Sequence, residues 1–349
     1  MTSKMSLQQV ATAAGAIGNQ VNAGIPLAQA VTRMARLQPA YAEYWQRTGS
    51  ALNGGAKLSD SIGEIWPRTM IAVVKSGEES GRIGEVFERI EQTMELQLQL
   101  RGKMMGLLYP LGMGLAGLAV FLGFMIFVLP MLSKSMGGRV SDSLVFRTSN
   151  WLSTNVMENW IVIVATLGVG TFLLVQWLQT EEASELIVKT LMDVPIIKDA
   201  LRDMYFGLWA NYMSMMVNSG IPTVTALNLT APVLPGELAE SVRLFAKDVG
   251  ANNKSLSDSA DLERLPLTDL RARWWPFFIS SAFIVAEQTG EIDRELSRVA
   301  PPLIKDGTKN LERFIGVMNV GALAVSAFLI VSPLAAYYTE IFSAIRTAG

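Results

Sequence analysis

The chain has 349 residues, of which 50% are apolar and 17% charged, and its formal net charge is −2. Soluble domains contain about 25% charged residues, so this composition indicates a membrane protein, and the slightly acidic balance argues against a nucleic-acid partner. The absence of histidine and cysteine excludes disulfides, thiolate nucleophiles, Cys/His zinc sites and imidazole bases, and we expect neither an enzyme nor a bound cofactor.

Residues 1–103 are predicted to form a cytoplasmic helical domain. The segments "LQQVATAAGAIGNQVNAG" and "PLAQAVTRMARL" place apolar residues three and four positions apart, as one face of a helix requires. Gly24 suits the left-handed end of the first helix and Pro26 the first turn of the next, so "GIP" predicts a tight corner. No strand-like alternation competes, and we expect a bundle of roughly four to six helices.

A short helix is predicted at "LSDS", Leu58–Ser61, where Ser59 or Asp60 could serve as the capping residue. Leu58 and Ile62 lie on one face of this short helix.

An acidic turn, "GEESGRI", follows and contains Glu78, Glu79, Gly81 and Arg82. We interpret it as a helix end, because glycines bracket a reversal of the chain and Ser76 has capping-box spacing to Glu79. Contact with a partner protein is a second interpretation of the same residues. A carboxylate pair for catalysis or for a metal is a third, less favoured one.

Three uncharged stretches are long enough to cross a membrane as helices. They are residues 104–133, 159–180 and 314–339, with 30, 22 and 26 residues. About 20 apolar residues at ~1.5 Å each span the hydrocarbon core. Trp160 and Trp177 bracket the second stretch, as interfacial aromatic residues do. We therefore predict three transmembrane helices.

The distribution of basic residues predicts the orientation. Lys305, Lys309 and Arg313 precede the third stretch and only Arg346 follows it, so its N-terminal side should be cytoplasmic. Basic residues flank the first stretch on both sides, so the rule does not orient it. The predicted segments are a cytoplasmic domain (1–103), a span (104–133), a periplasmic loop (134–158), a span (159–180), a second cytoplasmic domain (181–313), a span (314–339) and a periplasmic tail (340–349).

The chain contains an internal repeat. The hexapeptide "VNAGIP" returns as "VNSGIP", so Gly24 and Pro26 match Gly220 and Pro222 at a distance of 196 positions. This recurrence alone is weak, since Gly followed closely by Pro is common between helices.

Two further matches occur in the same order. "LSDS" returns 198 positions later, and "EESGRI" matches "EQTGEI" at a distance of 209, which pairs Glu78 with Glu287 and Gly81 with Gly290. The offset changes around a single insertion at "LTDLRARWWPF". We therefore predict that the second cytoplasmic domain is a duplicate of the first.

The uncharged stretches argue against a transporter. They contain no Asp, Glu, Lys or Arg, whereas ion-coupled carriers place ionisable residues at membrane depth. They are rich in small residues that allow close helix packing, although lipid anchoring explains any single one equally well. These small residues include Gly102 and Gly106, and Gly112 and Ala116.

The two cytoplasmic regions differ in charge. Residues 1–103 hold 11 basic and 9 acidic side chains, and residues 181–313 hold 14 and 19, which gives +2 and −5. Unlike surfaces of this kind could bring two domains or two protomers together. Two solvated surfaces explain the same counts.

Three features resemble the inner-membrane platform proteins of type II secretion and type IV pilus machines, the secretion F family. They are the duplicated "N-x-G-I-P" corner, "GEESGRIGEVFERI" and "YPLGMGLAGLAVFLGFMIFVLP". The resemblance covers essentially the whole chain. It implies an all-α integral membrane protein with two homologous cytoplasmic helical-bundle domains and three transmembrane helices. Few residues precede the first domain, as in compact pilus-type members. The second copy departs from the motif at Ala286 and Asp293, which match Gly77 and Gly84, so the two copies need not do the same job.

The resemblance also implies a function. We expect a non-enzymatic platform in the bacterial inner membrane that serves type IV pilus biogenesis. Its expected partners are a cytoplasmic assembly ATPase, pilin or pseudopilin subunits, other inner-membrane assembly proteins, further copies of the chain in a homo-oligomer, and membrane lipid. The alternatives are a type II secretion platform and a membrane transporter subunit.

Overall fold

The computed structural model is helical throughout its described part, which confirms the predicted all-α class. It divides into two compact units: residues 1–103 with 188–311, and residues 104–187 with 312–349. The predicted loop 134–158 and span 159–180 lie mostly outside the described residues. The structure describes residues 5–63, 65–131, 147–148, 151–156, 158–159, 170, 176, 192 and 194–348.

The first copy of the repeat contains six α-helices. Ser6 caps the first of them in a capping box, since the Ser6 Oγ accepts from the Gln9 N–H at 3.3 Å and the Ser6 N–H donates to Gln9 Oε1 at 2.8 Å. A short 3₁₀ turn, Pro39–Tyr41, separates the second helix from the third. The helices are α1 (Leu7–Asn22), α2 (Leu27–Leu37), α3 (Ala42–Asn53), α4 (Leu58–Ser61), α5 (Arg68–Ser80) and α6 (Ile83–Met105).

The second copy follows the same order with one addition. Between the equivalents of α4 and α5 it contains a further short helix, because the offset between matching residues rises from 198 to 209 positions at the insertion. A 3₁₀ turn, Ala231–Val233, corresponds to that of the first copy. Helix α7 (Leu108–Gly123) belongs to the second unit, and the helices of the second copy are α8 (Pro195–Asn218), α9 (Thr223–Thr230), α10 (Gly236–Gly250), α11 (Leu256–Ala260), α12 (Leu270–Trp274), α13 (Phe277–Thr289) and α14 (Ile292–Ala348).

An aromatic core holds each copy together. In the first copy Trp45, Trp66 and Phe87 pack edge to face, with ring centroids 6.5 and 6.1 Å apart. In the second copy Trp275 and Phe283 have centroids 5.9 Å apart, within a larger cluster. Trp66 and Trp275 match in sequence, and each precedes the proline that begins α5 or α13. Aromatic pairs in these geometries add about 0.5–1.5 kcal/mol each beyond burial.

Glycines allow the first and last helices of each copy to approach closely. A Cβ at Gly18 of α1 would lie 3.0 Å from the Phe87 side chain of α6. In the second copy, a Cβ at Gly307 of α14 would lie 2.7 Å from the backbone oxygen of Ala200 in α8. In both copies the first and last helices, α1 with α6 and α8 with α14, therefore pack closely against each other.

The second unit contains α7 (Leu108–Gly123), a π-helical turn (Phe124–Val128) and the C-terminal part of α14. Helix α6 ends at Met105, and α7 begins at Leu108. Pro110 explains the break, since its missing N–H leaves the carbonyl of Gly106 without its helical donor.

Two helical segments in the described part are long and apolar enough to cross a membrane, Gly112–Met131 and Ile292–Thr339. Only 17% of the first apolar window and none of the second is buried, unlike the core helix of a water-soluble protein. The close approach between these segments occurs at Gly117, where a Cβ would lie 2.2 Å from Ser326 Oγ, whereas Gly102 and Gly112 face open space.

Candidate functional site

The two "GIP" corners have the same backbone geometry. Gly24 and Gly220 have φ values of 84° and 89°, a left-handed conformation that glycine adopts without strain. The N–H of Ile25 donates to Gln20 O at 2.9 Å, and the N–H of Ile221 donates to Met216 O at 3.1 Å. These bonds satisfy carbonyls at the end of α1 and α8 in a Schellman motif.

The prolines of these corners lie one residue earlier than expected. Pro26 and Pro222 are the N-cap residues of α2 and α9 and precede the first helical turn, with φ values of −55° and −56°. Their extended ψ angles, 137° and 140°, turn the chain into the next helix. The corner is thus fixed by a left-handed glycine and a proline two residues later.

The acidic turn is dominated by one glutamate that holds two helices of the bundle together. Glu78, in the last turn of α5, accepts hydrogen bonds from the backbone N–H of Leu58 and, at 3.0 Å, from that of Ser59. These are free N–H groups at the start of α4, which a carboxylate satisfies well. The expected caps Ser59 and Asp60 do not serve, since the N-cap position is Lys57 and has no side-chain cap.

The second copy repeats this arrangement. Glu287 of α13 accepts a hydrogen bond from the Ser257 N–H at 2.7 Å, at the start of α11. Hydrogen bonds from Ser257 hold the pKa of the Glu287 carboxyl below its ordinary value, against a small opposing effect of burial. The two glutamates that match in sequence therefore perform the same structural task.

The other residues of the acidic turn have different surroundings. Gly81 and its match Gly290 end α5 and α13 in left-handed conformations with φ values of 70° and 75°. Glu79 is 55% exposed and lies 3.9 Å from Lys57 Nζ, and Arg82 is exposed. Glu79 and Arg82 are therefore the charged side chains of the first turn that are open to a partner.

The prediction of a capping box between Ser76 and Glu79 is wrong. Ser76 lies in the interior of α5, which begins at Arg68, so it cannot be an N-cap. Its hydroxyl donates to the backbone oxygen of Ser219 instead. The spacing of a capping box has this meaning only where a helix begins.

The departure of the second copy at Asp293, which matches Gly84, changes the partner of an asparagine that both copies have, Asn22 and Asn218. In the first copy Asn22 and Gly84 lie so close that a Cβ on Gly84 would be 1.9 Å from Asn22 Oδ1. In the second copy the equivalent Asn218 donates from Nδ2 to Asp293 Oδ2 at 2.9 Å. Both pairs tie the end of the first helix to the start of the last one, by close packing in one case and by a hydrogen bond in the other.

The two copies contact each other within the first unit, through residues that sequence reasoning missed. Thr93 Oγ1 accepts from Asn211 Nδ2 at 3.1 Å, and Gln97 Oε1 accepts from the hydroxyl of Tyr212 at 2.7 Å. Burial raises the pKa of Tyr212, so the hydroxyl stays protonated and donates. No sequence signal marks this contact, because polar residues on α6 look like an ordinary solvated face.

A buried ion cluster lies in the insertion of the second copy. Arg271 is only 4% exposed and pairs with Asp269 at 2.7 Å and Asp248 at 2.9 Å, while its Nη1 donates to Ser259 O at 3.1 Å. Hydrogen bonds from Arg271 hold the pKa of Asp269 below its ordinary value, although burial opposes them. The pattern Asp-x-Arg at a helix start could have indicated this pair.

The described residues contain no group of three or more acidic side chains that converges as a metal site. The strongest carboxylate features of the chain are helix caps and ion pairs. Helix corners, interhelical caps and the contact between the two copies are the features of a duplicated helical scaffold.

The family model for type II secretion system protein F matches residues 14–130 and 209–339. The matched residues cover well over half of the chain, and the chain belongs to this family. The two matched segments confirm the repeat. Members of the family are inner-membrane, non-catalytic platform proteins of secretion and pilus machines. No curated protein matches the chain.

Proposed function

We propose that this protein is the non-enzymatic inner-membrane platform for type IV pilus biogenesis. It couples a cytoplasmic assembly ATPase, supplied by another chain, to the polymerisation of pilin or pseudopilin subunits. The observation that carries the proposal is the double family match, because each matched segment continues from a helical bundle into an apolar helix.

The proposed mechanism relies on contacts alone. The chain has no histidine or cysteine, and its matched glutamates serve as helix caps. Mechanical work then comes from the ATPase, and the helical unit transmits it. Other inner-membrane assembly proteins and lipid hold the platform in place. A type II secretion platform is the alternative, since the same family serves both machines.

The proposed topology has three spans, with the N-terminus in the cytoplasm and the C-terminus in the periplasm. It rests on the positions of Lys305, Lys309 and Arg313 before the last apolar stretch. Reporter fusions after Ser141 should be periplasmic and those after Ser255 cytoplasmic. The reverse pattern would overturn this orientation.

The function is tested with the purified full chain and the motor ATPase of its own system. The chain alone should hydrolyse no ATP, and it should co-purify with the ATPase from detergent extracts. Deletion of the gene should abolish the fibre, and whether pili or secreted substrate disappear decides between the two machines. ATP hydrolysis by the isolated chain, or fibre assembly without it, would contradict the proposal.

A further inference from the structure

The "GIP" corner of the second copy is seated on helix α5 of the first copy. The hydroxyl of Ser76 donates to the backbone oxygen of Ser219, and a Cβ on Gly220 would lie 3.7 Å from Ser76 Oγ. Ser219 is only 7% exposed. A corner of one copy therefore docks on the fifth helix of the other copy.

The equivalent corner of the first copy and the equivalent helix of the second copy, α13, are exposed. The corner of the first copy exposes Ala23 and Gly24, and no atom of the described residues lies within 4 Å of a Cβ on Gly24. Helix α13, the match of α5, exposes Phe277, Phe278 and Val285 by 74%, 52% and 37%. Among the described residues, the corner at Gly220 and the face of α5 are in contact with each other, whereas the corner at Gly24 and the face of α13 are exposed.

The free helix face is more apolar than the occupied one. The offset of 209 positions holds along α5 and α13, so Phe277 matches Arg68, Phe278 matches Thr69 and Val285 matches Ser76. Exposed aromatic and aliphatic side chains close together on a surface are typical of a protein contact. The charged and small polar positions of α5 have become large and apolar on α13.

The exposed corner of the first copy is also less polar than the corner of the second copy. Ser219, whose backbone oxygen accepts from Ser76, matches Ala23. A contact of the same geometry between the free surfaces would pair Ala23 with Val285, an apolar residue with an apolar residue. On the helix side a polar residue, Ser76, is replaced by an apolar one, whereas the acceptor of the existing contact is a backbone oxygen, which Ala23 also has.

We propose that the corner Val21–Pro26 of one molecule docks on the α13 face of a second copy of this chain. The contact joins unlike surfaces, so each molecule still offers one free corner and one free face, and copies add head to tail into a ring or an open row. The charges of the two domains, +2 and −5, favour the same pairing of first domain with second domain.

This contact is smaller than the one within the chain. Thr93 and Gln97, which accept hydrogen bonds from α8, match Pro302 and Asp306 in α14. These residues cannot reproduce both bonds, so the contact is confined to the corner and the α13 face. The inference rests on the repeat and its geometry and does not depend on the proposed function.

Cysteine crosslinking tests the proposal directly, because the chain has no cysteine of its own. Ala23→Cys and Val285→Cys are made in separate full-length chains with different tags, co-expressed, and oxidised in native membranes. We expect a crosslinked species that contains both tags, since a disulfide needs Cα atoms about 4.4–6.8 Å apart. A chain with both substitutions should give a ladder of multimers.

Two control pairs of cysteines serve as a positive and a negative control for crosslinking. Ser76→Cys with Ser219→Cys in one chain should crosslink without an increase in mass, because that contact is within the molecule. Ala23→Cys with Glu263→Cys, an exposed loop position, should give no mixed species. A further variant carries Ser281→Cys as the thiol on α13 together with Val285→Asp. Its mixed species with Ala23→Cys should be lower by roughly tenfold or more, because an unpaired carboxylate is costly to bury.

Other outcomes overturn the proposal. Self-crosslinking of Ala23→Cys alone or Val285→Cys alone would show a twofold contact between like surfaces. No mixed species in membranes, while the Ser76/Ser219 control pair crosslinks, would show that lipid or another protein covers α13.

Discussion

The two copies of the helical domain keep the same backbone geometry with different side chains. The left-handed glycines that end helices recur at matching positions, Gly24 with Gly220 and Gly81 with Gly290. Side-chain contacts have changed, since Gly84 packs closely on Asn22 in one copy, whereas Asp293 accepts a hydrogen bond from the equivalent Asn218 in the other. Positions that require positive φ tolerate few residues, whereas a packed pair can be replaced by any pair that satisfies both partners.

The copies differ most at the insertion that precedes α13. The second copy adds α12 and places Arg271 in a buried ion cluster. The first copy crosses the same region in a few residues, and both copies bury the tryptophan that follows it, Trp66 and Trp275. The extra residues have thus introduced buried charge, and their energetic contribution should belong to the second copy alone.

The largest expected effect is the loss of the buried arginine. Arg271→Met leaves Asp269 and Asp248 with less compensation, because their ion pairs of 2.7 and 2.9 Å are removed. Removing one partner of a buried pair costs about 3–5 kcal/mol of unfolding free energy. Thermal unfolding of the detergent-solubilised chain measures it. Arg264→Met is the control, since Arg264 is 69% exposed and its loss should cost less than about 1 kcal/mol.

The pH dependence of this effect has a defined sign. Hydrogen bonds from Arg271 keep the pKa of Asp269 low in the folded state, although burial opposes them. A carboxyl with a lowered pKa stabilises the fold above its unfolded value of about 4, and this stabilisation is lost as the pH falls through the folded pKa. The difference between wild type and Arg271→Met should therefore shrink below about pH 4. A difference that is constant down to pH 2 would contradict the ion-pair explanation.

A close helix pair gives the next effect. Gly307→Ala places a Cβ 2.7 Å from the backbone oxygen of Ala200, and backbone cannot move aside as a side chain can. Overpacking of this kind costs about 1–3 kcal/mol. Gly102 is the matched control, because it is also helical and faces open space. Gly102→Ala should stabilise the chain by up to about 1 kcal/mol. Equal Tm shifts for both variants would refute the close contact.

The glutamate caps should have a smaller effect, and a different one in each copy. Glu78→Ala leaves two N–H groups of α4 without their acceptor and should cost about 1–2 kcal/mol. Glu287→Ala should cost less, because Glu287 is exposed and water can replace it. Glu79→Ala, one residue further along α5, should change stability by less than about 0.5 kcal/mol. If Glu79→Ala and Glu78→Ala destabilised the chain equally, Glu78 would not be a cap.

The cap of the second copy, Glu287, also has a pH signature. Hydrogen bonds from Ser257 lower the pKa of Glu287, so its contribution is present above the ordinary carboxyl pKa and is lost in acid. The stability difference between wild type and Glu287→Ala should accordingly vanish as the pH falls below about 4. A stability difference between wild type and Glu287→Ala that grows in acid would contradict this prediction.

Part of this structure follows from sequence alone. Helical periodicity and glycines at helix ends predict the corners at Gly24 and Gly220, because local backbone geometry determines them. The pairing of Glu78 with α4 depends on how α5 packs, and residues some 20 positions apart have no spacing rule. The contact of Ser76 with Ser219 joins residues 143 positions apart, and only tertiary packing brings them together.

The smallest effect on stability should accompany a specific effect on assembly. Glu79→Gln with Arg82→Glu gives the first turn the residues that the second copy has at Gln288 and Glu291. Both side chains are exposed, and the ion pair of Glu79 with Lys57 is long, at 3.9 Å. Stability should therefore change by less than about 0.5 kcal/mol.

Fibre assembly should nevertheless fall if the first turn contacts a partner, because reversing a surface charge places like charges opposite each other. The reciprocal variant, Gln288→Glu with Glu291→Arg, serves as the control and should leave assembly unchanged. Membrane-inserted protein is quantified in parallel, with co-purification of the ATPase as the binding readout. Equal losses from both variants would show that neither turn is specific. A normal fibre in the first variant would leave Glu78 as the essential acidic residue of this turn, with a purely structural role.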